Sequence, residues 1–407
     1  MDDEELQGIV VVGLARLLAG FIFVCALTPL ARRMAIKVRL VAAVRLDRLH
    51  SEPRPYGGGI AVLVALVLWF ILESCLFDER CGIRDFRPSF ALRLMTGALL
   101  FFGLGIADDY LRFTGGLKVL LQTTCAVVVV YALGLGGSEW LGKGGWVQVA
   151  SVIWIVAVVN AFNLLDHADG VAASAGALAF LALAIGQMPF YQYNTWADLK
   201  GEGFVALPAL FAAGCLAGFL VYNRPPAKLF MGDAGSMLVG FLLAALMMQA
   251  RYYLLYFRWI TPWVKFIPLA ILAVPLFDMV CVTLSRIRQR QNPFRGDATS
   301  HLAHRMLARG WSPRGIVAFA AGASAVTGGA SVAMYFLSGP ALVLPWLAVA
   351  AVLVAMLLVR RPVRPEAAHC KCCGSCTFPP PPPKPSRDSC AGWSSCSGPR
   401  AFLSCRN

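Results

Sequence analysis

The chain has 407 residues, 58% of them hydrophobic and only 14% charged, with a formal net charge of +14 and a mean hydropathy of +0.67. Soluble domains carry about 25% charged residues, so this composition excludes an ordinary soluble enzyme and indicates a polytopic membrane protein. The positive charge is dispersed between apolar runs, which suits anionic lipid headgroups and phosphorylated ligands; no nucleic-acid partner is expected.

Runs long enough to cross about 30 Å of hydrocarbon fall near 8–28, 57–73, 91–107, 118–135, 147–163, 170–187, 204–222, 232–249, 266–284, 316–338 and 341–360. The expected fold is therefore all-α, with about eleven transmembrane helices. The first run follows MDDEE with no small-residue cleavage site, and it reads as a retained helix. With the N-terminus outside, the inner loops 31–56, 108–118, 223–231 and 285–315 and the tail after 359 carry 26 Lys and Arg residues. The outer segments 74–93, 136–146, 188–203 and 250–265 carry 9. The positive-inside bias then predicts that every polar motif below faces the cytoplasm from an inner, plasma-type membrane.

Composition divides the chain into a membrane domain, 1–361, and a tail, 362–407, with a proline run (Pro379 to Pro383) and seven of the thirteen cysteines. The tail reads as disordered and cytoplasmic. Its cluster of His369, Cys370, Cys372, Cys373 and Cys376 has irregular spacing for zinc. Cys75 and Cys81 share an outer loop, where an oxidising compartment would allow a disulfide.

Five polar clusters interrupt the apolar chain. The first, DRLHSEPRPYGGG at 47–59, holds His50 and a glycine turn. The second, FGLGIADDY at 102–110, ends an apolar helix on the adjacent carboxylates Asp108 and Asp109, with Lys118 shortly after. Two like charges there are costly to dehydrate and call for a compensating cation or proton. The third, NAFNLLDHADG at 160–170, repeats Asn160, Asn163, Asp166 and Asp169 every three residues. On a helix this spacing aligns oxygen donors along one edge, and hard cations such as Mg²⁺ take oxygen ligands.

The fourth cluster, NRPPAKLFMGDAGS at 223–236, sets Asp233 among small residues at a helix mouth, where backbone N–H groups can approach an anion. The fifth, RGDATSHLAHRMLARG at 295–310, places His301, His304 and Arg305 in a basic loop, and such groups suit phosphate. Any one cluster alone has a bland reading as a solvated cap, a surface loop or close helix packing. Five on one face together describe a Mg²⁺-dependent phosphoryl-transfer site.

These motifs, in this order, resemble the polyprenyl-phosphate N-acetylhexosamine-1-phosphate transferases over about residues 10–360: DDY, NAFNLLDxxDG, FMGDAGS and the SHxxHR loop. The resemblance implies helices around a cytoplasmic-facing cleft with a groove for the lipid. It also implies transfer of N-acetylhexosamine-1-phosphate from a UDP-N-acetylsugar, by default UDP-GlcNAc, to polyprenyl (undecaprenyl) phosphate, starting a cell-envelope polysaccharide. Carried over residue by residue, Asp108 deprotonates or orients the lipid phosphate with Asp109 beside it, as base or as nucleophile. Asp233 and Asn163 are the implied Mg²⁺ (or Mn²⁺) ligands, and Asp166 and Asp169 line the nucleotide side. Phe230 stacks on the uracil and Asn223 lies near the ribose. Lys118 and His50 supply basic groups, and His301, His304 and Arg305 belong to a loop closing over the sugar and diphosphate.

Two departures from the family pattern stand out. Ala303 interrupts a run that is often three histidines, and His167 replaces a usual Gly or Asn. The loop HRMLARGWS favours the sugar-transferase branch over phospho-N-acetylmuramoyl-pentapeptide transferase. A secondary transporter is the alternative from another class, although the carboxylates lie at helix mouths and no internal repeat is visible. An intramembrane aspartyl protease lacks its GxGD motif. Partners are the bilayer, the lipid phosphate and the UDP-sugar; a homodimer stays open.

Overall fold

In the computed structural model the described residues are 3–42, 54–76, 88–137, 144–193, 205–250, 265–292, 301–337 and 339–360. His50, Cys81 and the tail with its cysteine cluster lie outside them.

The apolar runs fold as helix, several of them ending where a glycine, a proline or a polar cluster follows. In chain order these are α1 (Asp3–Lys37), α2 (Gly58–Leu76), α3 (Pro88–Leu111), α4 (Gly115–Val127, continued by a π-helical turn at Val128–Ala132) and α5 (Trp146–Leu165). They continue with α6 (Val171–Tyr193), α7 (Ala206–Asn223), α8 (Gly232–Gln249), α9 (Ile267–Ile271) and α10 (Ala273–Arg288). The last are α11 (Leu302–Leu307), α12 (Pro313–Phe336) and α13 (Val343–Arg360). Among the described residues nine helices are long and apolar enough to cross a membrane, and Gly58–Glu73 is a shorter apolar helix. The ninth expected run is divided into α9 and α10. Proline at position 275 has no N–H to give the carbonyl of Ile271, four residues earlier, and α9 ends at that residue.

The central element is α8, apolar all round and buried along nearly its whole length, as a helix without a polar face must be. Helices α2, α3 and α5 pack against it, α1 lies along α7, and α6 joins α7 to α12. The α1–α7 crossing depends on the small-residue spacing of Gly214 and Gly218. A β carbon at Gly218 would stand 2.6 Å from the Phe21 carbonyl oxygen, and one at Gly214 2.8 Å from the Leu17 carbonyl carbon. Without side chains there, the two backbones approach closely. Large apolar side chains on the other face of α1, including Val11, Leu14 and Leu18, are exposed, as a lipid-facing surface requires.

The described residues contain one short ladder, β1 (Val41–Ala42) antiparallel to β2 (Arg54–Pro55), with Val41 opposite Pro55. It leads directly into the polar end of the bundle. The N–H groups of Gly57 and Gly58 donate to the carbonyl of Phe230, and that of Gly59 donates to Met231. The first and fourth motifs therefore satisfy each other's backbone, and α2 starts against the mouth of α8.

Candidate active site

Asp108 and Asp109 close α3 and face different partners. Asp108 is 5% exposed; its Oδ1 accepts from the Phe113 N–H at 2.8 Å, and its Oδ2 lies 2.6 Å from Lys118 Nζ. Lys118, in the first turn of α4, also reaches Asp233 Oδ1 at 3.3 Å. Asp109 accepts from the N–H groups of Asp233 and Ala234 at 3.1 and 3.2 Å, which makes it the N-terminal cap of α8 in trans. Small residues permit this arrangement. A β carbon at Gly105 would meet the Ala234 nitrogen at 2.6 Å, and Gly232 turns the chain into α8 at φ +76°.

That cap departs from the sequence expectation for FMGDAGS. The backbone N–H groups expected to receive an anion are donated to Asp109. What the mouth of α8 offers outward is the Asp233 side chain, 36% exposed.

The even spacing of the third motif also resolves differently. Helix α5 stops at Leu165, with Asp166 as its C-cap, so the line of oxygens breaks after Asn163. Asn160 turns to α4, donating to Gln122 Oε1 at 2.6 Å. Asn163 turns to α8, where its amide nitrogen donates to Asp233 Oδ1 at 2.5 Å and Ser236 Oγ at 3.0 Å. In this arrangement Asn163 supports Asp233 through a nitrogen. Asp169 lies in the turn after α5 and accepts from the Ala227 N–H at 2.8 Å and from Arg54 at 3.3 Å.

Asn223 is buried at the end of α7. Its Oδ1 accepts from the Gly170 N–H and its Nδ2 donates to the Leu229 carbonyl, both at 2.9 Å. The Oδ1 contact joins the fourth motif to the third, and the Nδ2 contact closes the fourth motif on itself. Phe230 packs edge-tilted on Tyr56, with ring centroids 6.1 Å apart, and the Arg54 guanidinium lies over its ring at 5.8 Å. Arg54 belongs to the first motif, but sequence reasoning did not single it out; its place beside DRLHSEP among basic loop residues made it look like a topology signal.

His301 is 2% exposed, its Nδ1 3.4 Å from Asp278 Oδ2 and its ring stacked on His167 at 4.2 Å. The non-standard residue of the third motif thus meets the last loop. His304 sits on α11. Arg305 donates to the carbonyl of Arg360 at 2.8 Å and to Ser285 Oγ at 3.2 Å, tying the loop to α13 and α10. Asp278 was missed by sequence reasoning. Its signal was a lone carboxylate in the apolar run AVPLFDMV, which demands a partner.

The donor set can be weighed against a metal. Asp108, Asp109 and Asp233, counted as ionised, with Lys118 leave a formal charge of minus two. Among the described residues no three or more His, Cys, Asp or Glu side chains group closely enough to hold a metal ion; Asp233, whose side chain is 36% exposed, is the carboxylate that a hard cation would meet.

Comparison with known proteins gives this arrangement a family. The model of Glycosyl transferase family 4 matches residues 91–251. A Bacillus subtilis (strain 168) protein named "Probable undecaprenyl-phosphate N-acetylglucosaminyl 1-phosphate transferase" is 30% identical over 322 residues, 77% of this chain and 81% of that protein. The chain belongs to glycosyl transferase family 4. The decaprenyl-phosphate N-acetylglucosaminephosphotransferase of Mycobacterium leprae (strain TN) is likewise 30% identical, over 79% of this chain and 87% of its own. The undecaprenyl-phosphate alpha-N-acetylglucosaminyl 1-phosphate transferase of Yersinia pestis is 27% identical over 72% and 76%. This member of the family is an all-α, multi-pass membrane protein whose family match spans Asp108, Asp109, Lys118, Asn163, Asn223 and Asp233.

Proposed function

We propose that this glycosyl transferase family 4 protein moves N-acetylglucosamine-1-phosphate from UDP-GlcNAc to polyprenyl phosphate and releases UMP. The names of the relatives support the acceptor lipid and the sugar phosphate. The observation that carries the reading is Lys118 held between Asp108 and Asp233, with Asp109 and Asn163 fixing the mouth of α8. It is a compact set of charges for two phosphorylated substrates. The excess of Lys and Arg in the same loops supports a cytoplasmic site.

In this reaction an oxygen of the lipid phosphate forms a bond to the β-phosphorus of UDP-GlcNAc. The bond from that phosphorus to the bridging oxygen breaks, and the bridging oxygen leaves on UMP. A phosphate monoester has a second pKa near about 6, so Asp108 needs only to orient it or take a last proton. Lys118 sits where it can pair with the incoming phosphate. Asp233 is the residue that would hold Mg²⁺, with Asn163 fixing that carboxylate. The ion, when bound, offsets charge on the diphosphate and the departing UMP. Asp166 and Asp169 shape the nucleotide side, where Phe230 offers a ring to the uracil. His301 and His304 bring the last loop toward the diphosphate.

The test is UMP release by the purified protein in lipid, with UDP-GlcNAc, polyprenyl phosphate and Mg²⁺ supplied together and singly omitted. Release only with all three, and its loss in Asp108→Asn and Asp233→Asn variants that still fold, is the expected result. Solute transport without UMP release would overturn the reading, and wild-type rates in either variant would remove that residue from it. A panel of UDP-sugars identifies the donor.

A further inference from the structure

Asp278 lies outside every motif, yet it is a buried carboxylate with several partners. It is 2% exposed on α10. Its Oδ2 faces His301 Nδ1 at 3.4 Å, while its Oδ1 accepts from the Leu302 N–H at 3.1 Å and from the Arg360 guanidinium. On the other side the His301 ring is stacked on His167, centroids 4.2 Å apart and planes 17° from parallel. The His167 Nδ1 is itself 2.7 Å from the Leu164 carbonyl. His301 is therefore held by a carboxylate at one nitrogen and by an aromatic face against its ring.

A carboxylate at one ring nitrogen decides which tautomer an imidazole adopts and where its second nitrogen points. Resting on the reading of this protein as a sugar-phosphate transferase, we infer that Asp278 is a positioning residue that acts through His301. It keeps the proton on Nδ1, so that Nε2 is the nitrogen presented as an acceptor or, once protonated, a donor. Helix α13 contributes Arg360, which balances the buried charge. Helix α13 and the loop that leads into α11 are in this way connected to one imidazole.

A carboxylate of purely structural value would give a different kinetic pattern. Asp278→Asn keeps the shape and one oxygen but removes the charge that selects the tautomer. It should lower kcat about 10–100-fold, with KM for both substrates within about threefold of wild type. In a double-mutant cycle with His301→Ala, the double variant should turn over no more slowly than His301→Ala alone, because the two act as one unit. Should Asp278→Asn leave Arg360 too costly to bury, Asp278→Asn with Arg360→Met removes both charges and carries the same comparison.

Independent, multiplying losses would overturn the inference. So would wild-type kcat per folded molecule in Asp278→Asn, or in His301→Ala. A wild-type protein that releases no UMP from any UDP-sugar overturns the proposed function itself, a separate result.

Discussion

Replacing Lys118 by methionine tests the charge arrangement most directly. The ammonium lies 2.6 Å from Asp108 and 3.3 Å from Asp233; at an effective dielectric of about 20 these contacts correspond to about 6 and about 5 kcal/mol of attraction. Most of that offsets the cost of dehydrating the lysine, and the contact to Asp233 is further screened because that carboxylate is 36% exposed. A net loss of about 3 kcal/mol remains, at the low end for breaking a buried pair. Lys118→Met should therefore lower the thermal midpoint in detergent, and Mg²⁺ should raise that midpoint more than in wild type, because the remaining formal charge is more negative. UMP release should fall by about 10²-fold, the usual consequence of losing one group that stabilises developing charge. Fluorescence-detected unfolding with and without MgCl₂, alongside the UMP assay, measures both. A variant with an unchanged midpoint and a rate within about threefold of wild type would refute the argument that Lys118 holds the carboxylates together.

Asn223→Ala leaves the Gly170 N–H and the Leu229 carbonyl without their side-chain partner, a cost of about 2 kcal/mol or more. The drop should appear in thermal unfolding; a changed KM for UDP-GlcNAc with unaltered stability would instead place Asn223 on the ribose. Gly105→Leu drives a side chain toward the Ala234 nitrogen and should cost about 1–3 kcal/mol, together with most UMP release, because Asp108 and Asp109 move away from α8. Asp109→Asn weakens the cap on α8 by about 1 kcal/mol; thermal unfolding checks this, and an unchanged midpoint would contradict the cap.

The spans were legible because a membrane forces long apolar stretches, and helix satisfies their backbone. The clusters were legible as a set because polar residues among such stretches are expensive. Which atom of each residue faces which neighbour was not. An asparagine at a helix end looks the same whether it binds a ribose or, like Asn223, two backbone groups from different loops. The three-residue spacing after Asn160 suggested a continuous edge, but helix α5 ends at Leu165 and only tertiary packing decides where. Arg305 was expected at phosphate, and its reach to Arg360 and Ser285 depends on the position of α13, some fifty residues later. Asp278 was overlooked because one carboxylate in an apolar run has no spacing pattern to reveal it.

The carboxylate seated on the first turn of α8 has a consequence for selectivity. The positive end of a helix usually attracts any small anion that fits, but here Asp109 already occupies the two N–H groups that would greet one. A small anion arriving at that turn meets a carboxylate in place of the backbone donors. On the proposed function, the donor's diphosphate is then met by side chains such as Lys118 and not by the backbone of α8.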